Sequence, residues 1–334
     1  MIDDVRIAGA AYALPPESEA VADVLERERR RVDAVLAPLP ETSRRRAMEG
    51  LGLDRVRVCG SRRPYELVRD AAVQALDEAG LSPRRVDLIL DYSTLPGEES
   101  RYVSFASLLS AELEAEGSLN LAFKAGGCAG LHLALKTAIG WMGADPDIRS
   151  ALLVCGDTPP PGNRSLLPIT VQGDAGSAIV LRRDAGDGPT VLAVEAQTAG
   201  YLHDTIRLAE RDGRTEILVD SVRMEKEVMP VYYLNLLRLV SKALGQSSLQ
   251  VSDVNHFIYS NISQRDRDGF RRMLGLPEGA LPTTAMAEYG HTFASDLVIN
   301  YADLRNAGGI HPGQLLLFAS AGIGFAWGVT LARA

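Results

Sequence analysis

The chain has 334 residues, 46% of them hydrophobic and 23% charged, with 43 acidic against 35 basic side chains and a net charge of −8. That balance supplies material for a large core and excludes a protein that binds nucleic acid or an anionic membrane through general positive charge. Three cysteines, an odd number, make no disulfide framework, so they read as thiols of a reducing, cytoplasmic compartment.

The N-terminal run Met1-Ile-Asp-Asp-Val-Arg-Ile-Ala-Gly-Ala10 lacks the basic and long apolar regions of a signal peptide, and no uninterrupted apolar run reaches membrane-spanning length. In chain order, a strand is expected over residues 5–13, followed by a charged segment, 17–46, whose arginine-rich stretches suit solvated helical faces. A helix pattern over 65–79 stops at Gly80, a C-terminal signal. Strands are expected over 86–92 and 119–123, with a helix over 104–114 between them. A second helix begins just after Cys128 and runs to about Met142; strands over 150–155 and 174–181 follow it. Strands alternating with helices predict a mixed, largely parallel α/β protein.

The second half echoes the first. Val254-Asn-His-Phe-Ile-Tyr-Ser260 matches Val86-Asp-Leu-Ile-Leu-Asp-Tyr92, Leu315-Leu-Leu-Phe-Ala-Ser320 matches Ala151-Leu-Leu-Val-Cys155, and the strand after Gly322 matches the strand after Gly173. These pairs predict two copies of one unit, residues 1–184 carrying a nucleophile and residues 185–334 carrying its base and orienting acid.

The nucleophile is Cys128, in Ala125-Gly126-Gly127-Cys128-Ala129-Gly130-Leu131. A strand-to-helix turn with small neighbours exposes a sulfur, and the unsatisfied N–H groups of the following helix favour its thiolate, the attacking form. Its own backbone N–H is placed to donate to an oxyanion. Cys59 and Cys155 have no such setting and read as packed thiols. A base is sought in Glu288-Tyr-Gly-His-Thr-Phe-Ala-Ser-Asp296, where His291 precedes a helix over 294–306 and Asp296 lies in its first turn. A carboxylate on one ring nitrogen fixes the tautomer and frees the other nitrogen for the cysteine proton. The same spacing also fits a loop histidine beside an ordinary helix N-terminal charge. His132, four residues after Cys128, shares its helical face and suits a core position better than a catalytic one. His203 falls in a loop that could border an entrance, His256 in a strand and His311 in a His-Pro-Gly turn. Zinc binding is not expected, since no Cys/His pairs stand at metal spacing, and no Gly-Lys-Ser/Thr loop cradles a phosphate.

Five motifs in order carry a resemblance over nearly the whole chain: Gly50-Leu-Gly-Leu-Asp-Arg55, Gly126-Gly-Cys-Ala-Gly130, Gly173-Asp-Ala-Gly-Ser-Ala178, Tyr289-Gly-His-Thr-Phe-Ala-Ser295 and Gly322-Ile-Gly-Phe-Ala-Trp-Gly328. Together they resemble the ketoacyl synthase III branch of the thiolase superfamily. The resemblance implies a duplicated, five-layered αβαβα thiolase fold, a homodimer, and no metal, flavin or nicotinamide cofactor. Typical members of that branch use Cys, His and Asn. Here the segment matching their His-Gln-Ala-Asn motif reads Ser260-Asn261-Ile262-Ser263, and His291 stands where they carry the Asn. The thioester-binding pair that supports decarboxylation of a malonyl extender is therefore missing.

The remaining set, Cys128, His291 and Asp296, resembles the synthase-III-like acyltransferases of natural-product pathways, such as those making polyketides and antibiotics. By that resemblance Cys128 takes the acyl group, His291 is the base and Asp296 orients it. Gly322, Ile323 and Gly324 supply the second oxyanion donor, with Ser260 and Asn261 beside them. The acyl group would come from an acyl carrier protein or acyl-CoA and pass to a hydroxyl or amine of a small molecule. The resemblance places Arg265, Arg267, Arg271 and Arg272 at the mouth of the acyl tunnel, where they would receive the acidic carrier. The tryptophan that stacks on coenzyme A adenine in typical members has no counterpart near residues 46–52, which favours the carrier as donor. Loops over 95–104 and 197–214 are expected to line the tunnel. A decarboxylative condensing enzyme and a non-catalytic partner subunit of a synthase are the alternatives, and retention of Cys128, His291 and Asp296 argues against the latter.

Overall fold

Small and branched apolar residues in VRIAGAAYA form the first strand, β1 (Val5–Ala13), buried along most of its length. The computed structural model describes residues 5–95, 104–124, 126–183, 186–211, 213–282 and 284–334. After β1 come α1 (Pro64–Glu78), β2 (Leu88–Asp91), α2 (Phe105–Glu112), β3 (Leu119–Ala122), α3 (Gly130–Ala144), β4 (Ser150–Cys155) and β5 (Gly176–Arg183). The second set is β6 (Thr190–Thr198), α4 (Met229–Gly245), β7 (His256–Tyr259), α5 (Gln264–Met273), α6 (Ser295–Asn306), β8 (Leu315–Gly322) and β9 (Ala326–Arg333).

These nine strands form one mixed sheet in the order β7-β8-β9-β6-β1-β5-β4-β2-β3. At its centre β1 meets β6 through Arg6 opposite Thr190. Outward from that seam, β1-β5-β4-β2 on one side repeats as β6-β9-β8-β7 on the other. Each half pairs its first strand antiparallel with its last and its last antiparallel with the one before. That strand then runs parallel to the second strand of its own half. The echo seen in residues is thus present in topology. Residues 184 and 185, at the expected boundary, lie outside the described residues.

Three apolar cores stack the elements into five layers. On one outer face, Val68, Ala72 and Leu76 of α1 and Phe105 and Leu109 of α2 pack on Ile89, Leu152 and Val180. On the other, Leu236, Leu239 and Val240 of α4 pack on Leu317, Trp327 and Val329. Between them, Leu131 and Leu135 of α3 and Leu297, Val298 and Tyr301 of α6 are enclosed by Leu90, Leu153 and Ile179 of one half and Val194, Ile258 and Phe318 of the other. Each fully buried Leu, Ile or Val contributes roughly 1.5–3 kcal/mol. The middle helices meet a sheet on both sides, which is why α3 and α6 are apolar over so much of their circumference. Their N-termini carry Cys128 and Asp296 to the same level between the layers.

The charged segment after β1 enters as a short strand, Glu17–Ala20, paired with Arg55–Val58. It continues as helices Val21–Arg27, Arg29–Leu36 and Glu41–Glu49. Their arginines and glutamates are largely solvated, while Val24, Val32, Leu36 and Ala47 form a satellite core with Leu51, Val56, Leu167 and Met286.

Candidate active site

Cys128 occupies a single tight turn, Gly127–Ala129, immediately before α3, and its residue is 5% exposed. The turn is pressed against the end of β8. A Cβ on Gly127, whose φ is +51°, would lie 2.4 Å from the Ile323 nitrogen, and one on Gly322 would lie 2.2 Å from the Cys128 nitrogen. Only glycine permits that approach. Ser320 Oγ holds the turn by donating to the Cys128 carbonyl at 2.9 Å.

His291 and Asp296 complete a line from the sulfur. His291 Nε2 is 3.1 Å from Cys128 Sγ, and His291 Nδ1 is 2.6 Å from Asp296 Oδ2. His291 and Asp296 are buried. The segment between them turns at Phe293, whose φ of +58° is unusual for an aromatic residue and whose ring lies 5.7 Å from the imidazole. Asp296 accepts three more hydrogen bonds: from the Thr292 N–H and hydroxyl, each 2.7 Å from Oδ1, and from the Asn261 N–H, 2.7 Å from Oδ2. A buried carboxyl group satisfied by four donors is fixed in direction.

Burial opposes an imidazolium at His291. The Cys128 sulfur and the Asp296 carboxylate outweigh it and hold the pKa well above its ordinary value. A histidine so supported, 3.1 Å from the sulfur, is the arrangement in which imidazole activates a cysteine. Asp296 on Nδ1 leaves Nε2 aimed at the sulfur.

The cavity reaching this pair is narrow, with a volume of about 70 Å³. Leu166, Ile169, Ile206, Phe293 and Phe325 give it apolar walls, while Gln172, Ser263, Arg265 and Asp266 add polar groups. Burial pushes the Asp266 carboxyl up to about 6, against support from the Tyr259 and Tyr233 hydroxyls and Arg265. Gly322 and Ile323 line the cavity beside Cys128, whereas Gly324 does not.

Several expected placements are corrected. Ser260 and Asn261 do not line the cavity. Asn261 lies behind the triad, its backbone on Asp296 and its side chain joined to Asn300 and Arg267. Arg267 cannot receive a partner: it is 2% exposed and donates to Tyr259 O, Ser260 O, Asn261 Oδ1 and Pro282 O. Its side chain braces the segment that presents the Asn261 N–H, because α5 turns it inward. Of its neighbours, Arg265 is half-buried at the cavity, Arg271 donates to Leu276 O at 3.2 Å, and Arg272 is exposed. The loop over 95–104 lies almost wholly outside the described residues. From the 197–214 segment, Ile206 reaches the cavity and the remainder opens an antiparallel ribbon, Ile206–Arg211 with Arg214–Val219.

The other sulfurs and imidazoles stay apart from this line. Cys59 is held up as a thiol by burial and by Asp174, and Cys155, fully buried, by burial and Asp157. His132 is enclosed, with Nδ1 on Thr330 Oγ1 at 2.8 Å. His203 is exposed and His256 meets Gln314 at 2.9 Å. Among the described residues no group of three or more His, Cys, Asp or Glu is placed to hold a metal ion. None of the helices they form is long and apolar enough to cross a membrane. The sequence reading gave no role to Thr292, inside the His291 motif, or to Gln172, next to Gly173.

Residues 244–334 match the family model described as 3-oxoacyl-[acyl-carrier-protein (ACP)] synthase III C terminal. The beta-ketoacyl-[acyl-carrier-protein] synthase III of Paramagnetospirillum magneticum is 26% identical over 278 residues, covering 80% of this chain and 83% of that one. Among solved structures, ChlB3, described as an "aceyltransferase", superposes with a TM-score of 0.82 at 23% identity over 99% of this chain and 98% of the other. The 3-oxoacyl-[acyl-carrier-protein] synthase III of Aquifex aeolicus gives 0.79 at 22% identity over 99% and 100%. The fold is that of synthase III, a thiolase fold. Its duplicated, five-layered form is the one the sequence motifs implied.

Proposed function

We propose that this chain is an acyltransferase that carries an acyl group on Cys128 and passes it to a hydroxyl or amine of a small-molecule acceptor. The observation that carries this reading is the unbroken line Cys128–His291–Asp296, with Asp296 saturated by four donors. It is a base-and-orienter arrangement. Neither the Ser260 hydroxyl nor the Asn261 carboxamide lines the cavity, where a condensing enzyme would need them to hold an enolate.

The chemistry follows from the charges. The Cys128 thiolate attacks the donor thioester, and its backbone N–H and the chain at Gly322–Ile323 face the developing oxyanion. Collapse expels the donor thiolate, which takes the proton from the His291 imidazolium. Acylation removes the sulfur's negative charge, the strongest support of that imidazolium, so His291 is now a neutral base. It accepts the proton of the acceptor as oxygen or nitrogen attacks the thioester, and the second collapse returns Cys128 as thiolate beside imidazolium. Arg265 at the cavity and exposed Arg272 suit the mouth at which an acidic carrier protein delivers its acyl group, with acyl-CoA the other donor. The reading includes a cytoplasmic homodimer, a role in a natural-product pathway and no cofactor.

The relatives named as beta-ketoacyl synthases favour a second reading, decarboxylative condensation at the same cysteine. Intact-protein mass spectrometry after mixing with acyl-carrier and acyl-CoA thioesters tests both. An adduct equal to the whole acyl group, absent in Cys128→Ala, is expected, and malonyl is expected to keep its carboxylate. Carbon dioxide release from malonyl thioester would instead establish condensation, and no adduct from any donor would remove covalent transfer.

A further inference from the structure

Gln172 is 1% exposed and lines the same cavity as Cys128 and His291. Neither its Oε1 nor its Nε2 has a hydrogen-bond partner among the described residues. Its backbone is tied to the catalytic histidine. Gln172 and His291 form a parallel bridge in which the Gly173 N–H donates to His291 O at 2.9 Å and the His291 N–H donates to Val171 O at 3.2 Å. The Gln172 N–H itself donates to Arg164 O at 2.8 Å. The carboxamide therefore projects from a rigid point, one register pair from the imidazole.

The cavity wall it joins sets apolar Leu166, Ile169, Ile206 and Phe293 beside polar Ser263, Arg265 and Asp266, none of which bonds to it. A carboxamide among them is costly if nothing bonds to it, since a buried amide without partners forfeits its hydration. An alkyl chain filling the cavity would impose that cost. A group that both donates and accepts would remove it, because the carboxamide offers an acceptor oxygen beside two N–H donors. The site thus resembles those that reject an analogue for lacking a hydrogen-bonding group.

We propose that Gln172 selects the acyl group: the preferred donor carries a hydroxyl or N–H substituent that meets the Gln172 carboxamide when the acyl group is on Cys128. This rests on the reading of Cys128 as the acyl carrier, and adds the class of acyl group it carries. Gln172 acts here as a specificity residue, taking no part in proton transfer.

The test compares rates of Cys128 acylation by butyryl-, 2-hydroxybutyryl- and 3-hydroxybutyryl-CoA, read by intact-protein mass spectrometry. In the wild type, a hydroxylated donor is expected to exceed butyryl by about tenfold or more. Gln172→Leu is expected to erase or invert that ratio, and Gln172→Met, of the same chain length, guards against a folding defect in the first variant. Equal acylation by all three donors, or a preference unchanged in both variants, would overturn the assignment while leaving Cys128 as acyl carrier. Absence of any adduct in the wild type, with the same three acyl groups presented on acyl carrier protein as well as on CoA, would instead remove the acyl-enzyme reading itself, and this inference with it.

Discussion

Asp296 Oδ2 receives the Nδ1 proton of His291 at 2.6 Å, and the carboxylate is held there by Thr292 and by the Asn261 N–H. Asp296→Asn keeps the shape but offers only one acceptor oxygen to the four donors, so the imidazole loses its fixed tautomer. By the precedent of hydrolase triads, acyl transfer in single-turnover experiments should fall by about 10²–10⁴-fold. Recovery of most of the activity in this variant would show that His291 needs no orienting carboxylate.

His291 should set how the Cys128 sulfur responds to pH. Its pKa stands well above the ordinary value because the sulfur and Asp296 outweigh burial, so the imidazolium persists through neutral pH, a positive charge 3.1 Å from the sulfur of the kind that favours a thiolate. The iodoacetamide alkylation rate of the wild type should therefore stay nearly flat between about pH 6 and 8, where an unassisted thiol accelerates steadily. In His291→Asn that flat region should be replaced by a rate climbing with pH. Identical profiles for the two proteins would dismiss the ion pair.

The parts of this site legible in the sequence were those set by local geometry. Glycines flanking Cys128 announced a turn that exposes its sulfur, and the structure adds a second reason for them, a close backbone approach with Gly322 on its other side. His291 and Asp296 stand five apart across a helix start, and residue spacing alone fits either a triad or an ordinary cap. What could not be read were relations made only by the sheet. Asn261 reaches Asp296 because β7 lies beside β8 and under α6, so its backbone matters and its side chain does not face the substrate. The arginines of α5 were expected together at the tunnel mouth, yet the helix turns Arg267 inward and leaves Arg272 out. A charge pattern of one helix does not reveal which carbonyls a buried guanidinium will find.

Arg267 should act as a brace. It bonds Tyr259 O, Ser260 O, Asn261 Oδ1 and Pro282 O, and burial pulls its pKa down from the usual arginine value. Arg267→Ala strands these acceptors and should cost about 3 kcal/mol in urea unfolding. Arg272→Ala, on the exposed face, should stay within about 0.5 kcal/mol of wild type and weaken acylation from the carrier-bound donor alone. The reverse pattern, a stable Arg267→Ala with impaired carrier use, would restore Arg267 to the docking surface.

His132 should make the fold sensitive to acid. It is enclosed between the layers, with Nδ1 on Thr330 Oγ1 and its ring against Gly328, where a Cβ would lie 2.3 Å from the imidazole carbon. Burial lowers its pKa to about 3. The unfolded chain gains a proton there below about pH 6.5. The folded chain remains neutral until far lower, so the stability contributed by neutral His132 is intact above that pH and lost as the pH falls. The loss should reach about 2 kcal/mol by pH 5. His132→Asn places an amide near the Nδ1 position and removes the titration. It should be less stable than wild type at pH 7.5 because a ring is replaced by a smaller group. The difference in urea unfolding free energy should then narrow by about 2 kcal/mol between pH 7 and 5, while other buried acids, Asp157 and Asp266 among them, cancel between the two proteins. A gap that stays constant across that range would mean that His132 is protonated as readily in the folded chain as in the unfolded one.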